Sequence, residues 1–194
     1  MSIICLETPR LLLRGIRPDD APSYQRNFAD YEVIRHLSSA VPWPYPENGA
    51  AEFIRDFILP NKGLDRWIWG IFLKSNPSEL IGGVDLWRKG IPENRGFWLG
   101  RKFWGRGVMT EAVAPVNDYA FDQLGFESLI FSNALGNVAS RKVKEKTGAL
   151  FLKTEQARFV DPTYSERELW ELTKERWESH RNSHKLMSLD LQHK

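Results

Sequence analysis

The sequence predicts a single α+β domain, and three observations carry that reading. Strand-like runs and amphipathic helical stretches alternate along the whole chain, in the order strand, helices, strands, helix, strand, helix, strands. Three of the strand-like runs follow one another with only turn residues between them, as an antiparallel meander requires. The chain has 194 residues, 42% of them apolar and 27% charged, which suits one domain with a sizeable core. No internal repeat, low-complexity tract or linker divides it. The expected domain spans residues 1–179, followed by a polar, frayed tail over 180–194.

Each element has a local cause. Leu11-Leu12-Leu13-Arg14-Gly15-Ile16-Arg17 reads as a strand that Pro18 stops, and Asp19 or Asp20 can cap a helix through Tyr24 to Phe28. Tyr31 to Leu37 gives a second short helix. Pro42-Trp43-Pro44-Tyr45-Pro46 is held extended, because each proline lacks a donor and biases its predecessor away from helix. Asn48 to Leu59 places Ala51, Phe53, Ile54, Phe57 and Ile58 at helical spacing and ends at Pro60. The meander comprises Trp67 to Leu73, Leu80 to Trp87 and Gly96 to Leu99, separated by Asn76-Pro77-Ser78 and Gly90-Ile91-Pro92. From Met109 to Leu124 the apolar residues Met109, Ala112, Val113, Val116, Ala120 and Leu124 make a helix with one buried face, which Pro115 is expected to kink. Ser128 to Phe131 is a strand, and Asn137 to Thr147 is a helix with Gly148 as its stop. Leu150 to Lys153 and Glu168 to Leu172 are further strands, and Thr173 caps a last short helix.

Composition excludes several function classes. Twenty-seven Lys+Arg against 25 Asp+Glu leave a formal charge of +2, too small for a surface that grips nucleic acid or anionic membrane throughout, so any anion site is local. Cys5 is the only cysteine, which rules out an intramolecular disulfide and a cysteine-built zinc site. No apolar run approaches the ~20 residues of a membrane span, and Ile3-Ile4-Cys5 lacks the length and basic flank of a secretory signal. A reducing cytoplasm is the expected location. The eight tryptophans, at 43, 67, 69, 87, 98, 104, 170 and 177, are read as bulky core more than as an aromatic substrate site. His180 and His184 have the spacing of a helical metal pair but no third ligand, so no metal is expected. His36, beside Leu37, is read as a helix-end residue, and no Gly-x-Ser-x-Gly elbow supports serine hydrolysis.

Two segments carry the chemistry. Trp98-Leu99-Gly100-Arg101-Lys102-Phe103-Trp104-Gly105-Arg106-Gly107-Val108-Met109-Thr110-Glu111-Ala112 reads as strand, glycine-punctuated turn and helix start. Gly105 and Gly107 let a backbone approach a ligand, and the first helical N–H groups are unsatisfied donors at the positive end of the helix dipole, an arrangement that binds phosphate oxygens. A plain strand-to-helix turn with solvated arginines reads the same way. The third glycine of a dinucleotide fingerprint and the Gly-Lys-Ser/Thr of a triphosphate loop are both missing. In the second segment, Asn133 to Ala149, Asn137 can cap a helix with Ser140 as its third residue, and Arg141, Lys142, Lys144 and Lys146 form a basic face.

Taken together these segments resemble the GNAT superfamily of acetyl-CoA-dependent N-acetyltransferases, and within it the branch that acetylates ribosomal-protein N-termini. The resemblance covers about Glu7 to Ser179. It rests on Thr8-Pro9-Arg10-Leu11-x-Leu13-Arg14, Pro44-Tyr45-Pro46 before a helix with Ala51 and Phe53-Ile54, Gly82-Gly83, and Gly96-Phe97-Trp98-Leu99. It continues with Trp104-Gly105-x-Gly107 with Thr110-Glu111-Ala112, Asn137-x-x-Ser140-x-x-Val143-x-Glu145-Lys146-x-Gly148, and Leu172-Thr173 before a helix with Trp177.

The resemblance implies the GNAT fold, a mixed, mostly antiparallel sheet splayed in a V between its fourth and fifth strands and flanked by helices. It implies acetyl-CoA as co-substrate, with pyrophosphate on the N–H groups of Gly105 to Met109 and pantetheine beside the strand ending at Leu99. Lys102, Trp104, Arg106, Val108, Asn137 and Arg141 complete the expected cofactor contacts. A neutral primary amine attacks the thioester directly. The tyrosine that protonates the departing thiolate in many relatives falls at Lys144, so Ser140 is the expected substitute. The carboxylate this branch often carries falls at Asn94, which leaves Asp85, Glu93 or a water chain as the base, with Asp85 preferred because a strand holds a carboxylate more precisely than a loop. The expected acceptor is the N-terminal amine of a peptide or protein, or else a small amine, with Trp43 and Tyr45 in the wall of its site. The vacant tyrosine and carboxylate positions leave a non-catalytic acyl-CoA-binding or interaction protein as the alternative to an enzyme; no membrane or nucleic-acid partner is expected, and the chain is expected as a monomer or homodimer.

Overall fold

Leu11 and Leu13 are fully buried while Leu12 and Arg14 are less so, and this period of two makes Leu11–Gly15 a strand with one core face. The computed structural model describes residues 3–89 and 92–191. Leu6–Glu7 (β1), Leu11–Gly15 (β2), Arg66–Leu73 (β3), Asn76–Trp87 (β4) and Arg95–Leu99 (β5) form one sheet in chain order, every neighbouring pair antiparallel. The expected meander is therefore present. β4 begins earlier than expected because Asn76 pairs with Leu73 across a two-residue connection, and Pro77 sits where the register already shifts. Of the expected turn at Gly90-Ile91-Pro92, Gly90 and Ile91 lie outside the described residues.

A second antiparallel sheet, in the order β6-β8-β7, contains Ser128–Ala134 (β6), Leu150–Gln156 (β7) and Glu166–Thr173 (β8). Trp170 of β8 stands opposite Phe131 of β6 and Phe151 of β7. All ladders are antiparallel. The mixed character expected of the sheet is not seen in the ladders among the described residues, because β5 and β6 belong to separate sheets and form no ladder with each other.

Helices cover both faces. On one side lie Ala21–Phe28 (α1), Tyr31–Ile34 (α2) and Gly49–Phe53 (α3), burying Tyr24, Phe28, Ile34 and Ile54 against Ile68, Phe72 and Leu80. α2 is shorter than expected, and α3 continues through Phe57 as a π-helical turn, Ile54–Ile58, in which Leu59 N–H reaches back to Ile54 C=O at 3.0 Å. On the other side Val108–Asp122 (α4) buries Ala112, Val113, Val116 and Phe121 against Trp69, Ile71, Val84 and Leu86. α4 runs through Pro115 unbroken, the only loss being the bond that Glu111 C=O would otherwise accept. Val138–Lys146 (α5) and Lys174–Leu191 (α6) follow.

α6 corrects the expected frayed tail. The helix does not stop at Ser179, because Trp177 is buried with its Nε1 donating to Asp118 at 2.9 Å, and Arg181 one turn on pairs with Asp118 and Asp122 of α4. The tryptophan reading divides: Trp67, Trp69, Trp170 and Trp177 are buried, whereas Trp43 and Trp104 are 44% and 40% exposed. Among the described residues no helix is long and apolar enough to cross a membrane.

The two sheets meet at Asn94. Its N–H donates to Ile130 C=O at 2.9 Å, and Ile130 N–H donates to Asn94 Oδ1 at 2.7 Å. A side chain here stands in for a backbone ladder. Replacing Asn94 by Ala is expected to lower stability by about 1 kcal/mol, because Ile130 N–H loses its acceptor in a partly buried seam; urea unfolding of the two proteins measures it.

Candidate active site

The turn after β5 is built for close backbone approach. Trp104 Nε1 donates to Leu99 C=O at 2.7 Å, and Gly105 and Gly107 follow with φ of +73° and +72°, which side chains rarely tolerate. Gly107 is the N-cap of α4, no side chain caps the helix, and Glu111 N–H is the first to reach back into the turn, to Gly107 C=O at 3.0 Å. The preceding N–H groups are left for a ligand. The turn is pinned from the start of the chain. Arg10 Nη1 donates to Arg106 C=O at 3.0 Å, and its Nε donates to Glu111 Oε2 at 2.6 Å, while Thr8 also donates to Glu111. Burial raises the Glu111 carboxyl, but the hydrogen bonds from Thr8 and Arg10 outweigh it and hold the pKa below its ordinary value. Glu111 is thus a structural anion.

Beyond Asn94 the strands diverge, and a cleft of about 820 Å³ opens between them. One end is walled by Trp104, Gly105, Gly107, Val108 and Met109; the middle by Phe97, Trp98 and Leu99 of β5 facing Ser132 and Asn133 of β6. Asn137 and Ser140 at the start of α5 line the same space, with Lys142 and Lys146 as the basic residues that α5 contributes to it. Asn137 caps α5, its Oδ1 accepting from Ser140 N–H at 3.1 Å. The Ser140 hydroxyl accepts from Lys144 Nζ at 2.8 Å.

Six expected site residues lie elsewhere. Lys102 pairs with Glu79 at 2.6 Å, and Arg106 contributes a carbonyl to Arg10 while its side chain stays off the cleft wall. Arg141 turns from the cleft to pair with Glu168, a buried carboxylate that also accepts from Asn133 Nδ2 at 2.8 Å. An unpaired buried carboxylate is costly, so Glu168 takes the nearest guanidinium. Asp85 stands on the face of β4 toward α1, held by Arg66 Nε at 3.0 Å; burial pushes its pKa up to about 6, with Arg66 opposing the rise. Tyr45 lines a separate cavity of about 490 Å³ with Tyr24, Phe28 and Pro42. Trp43 lines neither space and packs on Tyr31, ring centroids 5.1 Å apart.

The far end of the cleft holds residues that local reading passed over. Glu32 of α2, Arg35 and His36 just after it, and Tyr164, before β8, form its wall. Arg35 pairs with Asp161 at 2.9 Å, and the His36 ring packs on Tyr164 with centroids 4.7 Å apart. Burial, with help from Arg35, pulls the His36 pKa below 6.5 against the opposing pull of Glu32 and Asp161. His36 therefore faces the cleft as a neutral imidazole at physiological pH. Only the pairing of residues about 130 positions apart brings this wall together, and nothing near His36 in sequence announces it. His180 stacks against Trp177, and the side chain of His184 lies outside the described residues.

Residues 10–150 match the family model described as the acetyltransferase (GNAT) domain. The chain belongs to the GNAT family. It is an acetyl-CoA-dependent N-acetyltransferase. A Bacillus subtilis relative named "Putative ribosomal N-acetyltransferase YdaF" is 32% identical over 187 residues, covering 90% of this chain and 97% of that protein. Among solved structures, Mycobacterium smegmatis RimJ in complex with CoA-disulfide superposes with a TM-score of 0.74 at 17% identity, covering 90% of this chain and 88% of that one. The microcin C7 self-immunity acetyltransferase MccE, in complex with acetyl-CoA and AMP, gives 0.69 at 15% identity, covering 86% and 93%. These two show that the GNAT fold is shared.

Arg141→Met tests the correction on α5. It is expected to destabilise the acetyltransferase by about 2–3 kcal/mol, less than a fully buried pair would lose because the guanidinium is partly solvated. Lys142→Met and Lys146→Met should each change stability by less than about 0.5 kcal/mol. Thermal unfolding of the three variants separates the roles.

Proposed function

We propose that this GNAT enzyme acetylates the N-terminal α-amine of a peptide or protein in the cytoplasm, through the cleft between β5 and β6. The observation that carries the reading is the continuity of that cleft, from unsatisfied helical N–H groups at the glycine turn to a mouth beside α2 that contains a neutral histidine. The residues present fit acetyl-CoA: the N–H groups of 105–109 suit its pyrophosphate, the edge of β5 up to Leu99 its pantetheine, and Asn137 and Ser140 its thioester end. When bound, acetyl-CoA supplies an activated acetyl group. The chain's own work is to hold that group still, polarise its carbonyl with a strand N–H, admit a neutral amine, and supply and remove protons.

An α-amine has a reference pKa near 8 and is appreciably neutral at cellular pH, whereas a lysine side chain near 10.4 is almost wholly protonated. That difference favours the α-amine in a site without a strong base. The name of the B. subtilis relative points the same way. We assign proton removal to His36, since Asp85 is engaged by Arg66 and does not line the cleft. A second reading has its own observation: the aromatic cavity behind the Pro42–Pro46 loop, with Glu52 and Asp56 in its wall, would suit a small amine.

Acetyl-CoA offered with a peptide library and a small-amine library in parallel, with products identified by mass, decides between them; acetylation confined to small molecules overturns the protein-acceptor reading. Gly107→Val forces a β-branched residue to positive φ and is expected to weaken acetyl-CoA binding about tenfold or more by calorimetry. Arg106→Ala should do much less. His36→Gln is expected to lower kcat/KM by ~10²-fold, while Asp85→Asn leaves it nearly unchanged. Because a neutral amine must enter, the wild-type kcat/KM should decline below the amine's own pKa near 8, and protonation of His36, whose pKa is lowered from 6.5, should add a second, steeper fall at more acidic pH that His36→Gln abolishes. Full activity in His36→Gln removes it as the base.

A further inference from the structure

Lys144 is a fully buried lysine that points its ammonium at a serine instead of a carboxylate. Its Nζ lies 2.8 Å from Ser140 Oγ and 3.5 Å from Ser140 C=O. The rest of its surroundings are aromatic, with the Phe97 ring 5.3 Å and the Phe131 ring 5.9 Å from Nζ. It has no salt bridge among the described residues, and it does not line the cleft, whereas Ser140 does. Burial of a lysine without a counter-ion is expensive, and packing alone would be better served by methionine or leucine. Something must be gained from the charge.

We infer that Lys144 is a positioning residue that recharges Ser140, so that the serine hydroxyl acts as the proton donor to the departing CoA thiolate. The inference rests on the reading of the cleft as the thioester site. In the step, the amine nitrogen forms a bond to the acetyl carbon and the carbon–sulfur bond breaks with its electron pair going to sulfur. Ser140 O–H gives its proton to that sulfur, and Lys144 gives a proton to Ser140 Oγ. The proton lost by the amine leaves through His36 to water, and water reprotonates Lys144, so a thiol and an amide are the net products.

The chemistry explains why both residues are needed. A lone serine that gave up its proton would be left as a high-energy alkoxide, while a lysine at its ordinary pKa of about 10.4 is a poorly matched acid for a thiolate whose conjugate thiol lies near 8.5. Burial lowers the Lys144 pKa well below 10.5, and Arg95 of β5 lowers it further, with Glu93 in the loop before β5 opposing. The other charges of this region are committed elsewhere: Glu93 accepts from Ser132 and from Arg167 at 2.6 Å, and Arg141 is taken by Glu168. The lowered value brings the acid toward its partner.

The test combines three readouts. In wild-type protein labelled with 13C-lysine, the Cε signal absent from Lys144→Met, or from Lys144→Arg where the methionine variant does not fold, should titrate below 10.5 and shift on Ser140→Ala. Lys144→Met and Ser140→Ala should each bind acetyl-CoA within about threefold of wild type by calorimetry, lose ~10²-fold in kcat with little change in KM, and lose the alkaline limb where kcat falls as Lys144 deprotonates. The double variant should be no slower than either single one. A Lys144 signal titrating at the ordinary value and indifferent to Ser140→Ala overturns the inference even if Lys144→Met fails to fold, as does wild-type kcat in that variant. Failure of the wild-type protein to bind acetyl-CoA overturns instead the reading of the cleft.

Discussion

Asn94 ties β5 to β6 with two hydrogen bonds at one end, and the strands then part, so the cleft exists because a ladder that could have continued does not. The residue after the tie adds a side-chain link between the same strands. Arg95 is buried, donates Nη1 to Asn117 Oδ1 of α4 at 2.8 Å, and lays its guanidinium 3.7 Å from the centre of the Phe131 ring on β6. Stacking of a guanidinium on an aromatic face joins β5 to β6 beneath α4 where no ladder does. The tie sets where the opening begins.

Arg95 also shapes the electrostatics behind the cleft. Arg95 and Lys144 are two buried basic side chains in one neighbourhood, and among the described residues no carboxylate forms an ion pair with either. The nearby acids are spent on other partners, Glu93 on Arg167 and Glu168 on Arg141. Facing the cleft itself are Lys142 and Lys146. A chain of net charge +2 thus concentrates positive charge around one opening, which favours an anionic ligand at that place without making the whole surface basic.

How much of this could be read from the sequence follows from how far apart the interacting residues are. The glycine turn, the α4 start and the Asn137 cap of α5 are each encoded within a dozen residues, and they were legible because turn chemistry and helix capping are local rules. Leu99, Trp104, Gly107 and Met109 line the cleft. Arg141 was misread because its neighbours in sequence are solvated lysines, whereas its orientation is fixed by Glu168, 27 residues away on β8. Asp85 was misread in the same way, since alternation in β4 gives its face but not its partner Arg66 on β3. His36 was dismissed as a helix end. Its position in the cleft depends on Arg35 meeting Asp161 and on a ring contact with Tyr164, neither of which leaves a periodic trace.

The two halves of the site therefore rest on different kinds of support. The proposed cofactor half is backbone, held by the Arg10–Glu111 clamp beside the first strands of the larger sheet. The acceptor half is side chains from α2 and from the segment before β8, gathered by ion pairs and ring contacts across the two sheets. Trp98 marks the boundary between the two candidate acceptor spaces. Trp98 lines the cleft, and its ring packs 4.9 Å from both Tyr24 and Phe28, which wall the aromatic cavity. His36 and Ser140 both line the cleft, and neither lines the aromatic cavity. Direct attack on a thioester requires the amine within van der Waals reach of the acetyl carbon. Of the two spaces, only the cleft shares its walls with Ser140, and this supports the proposed acceptor position beside α2 and Tyr164 over one behind the proline loop.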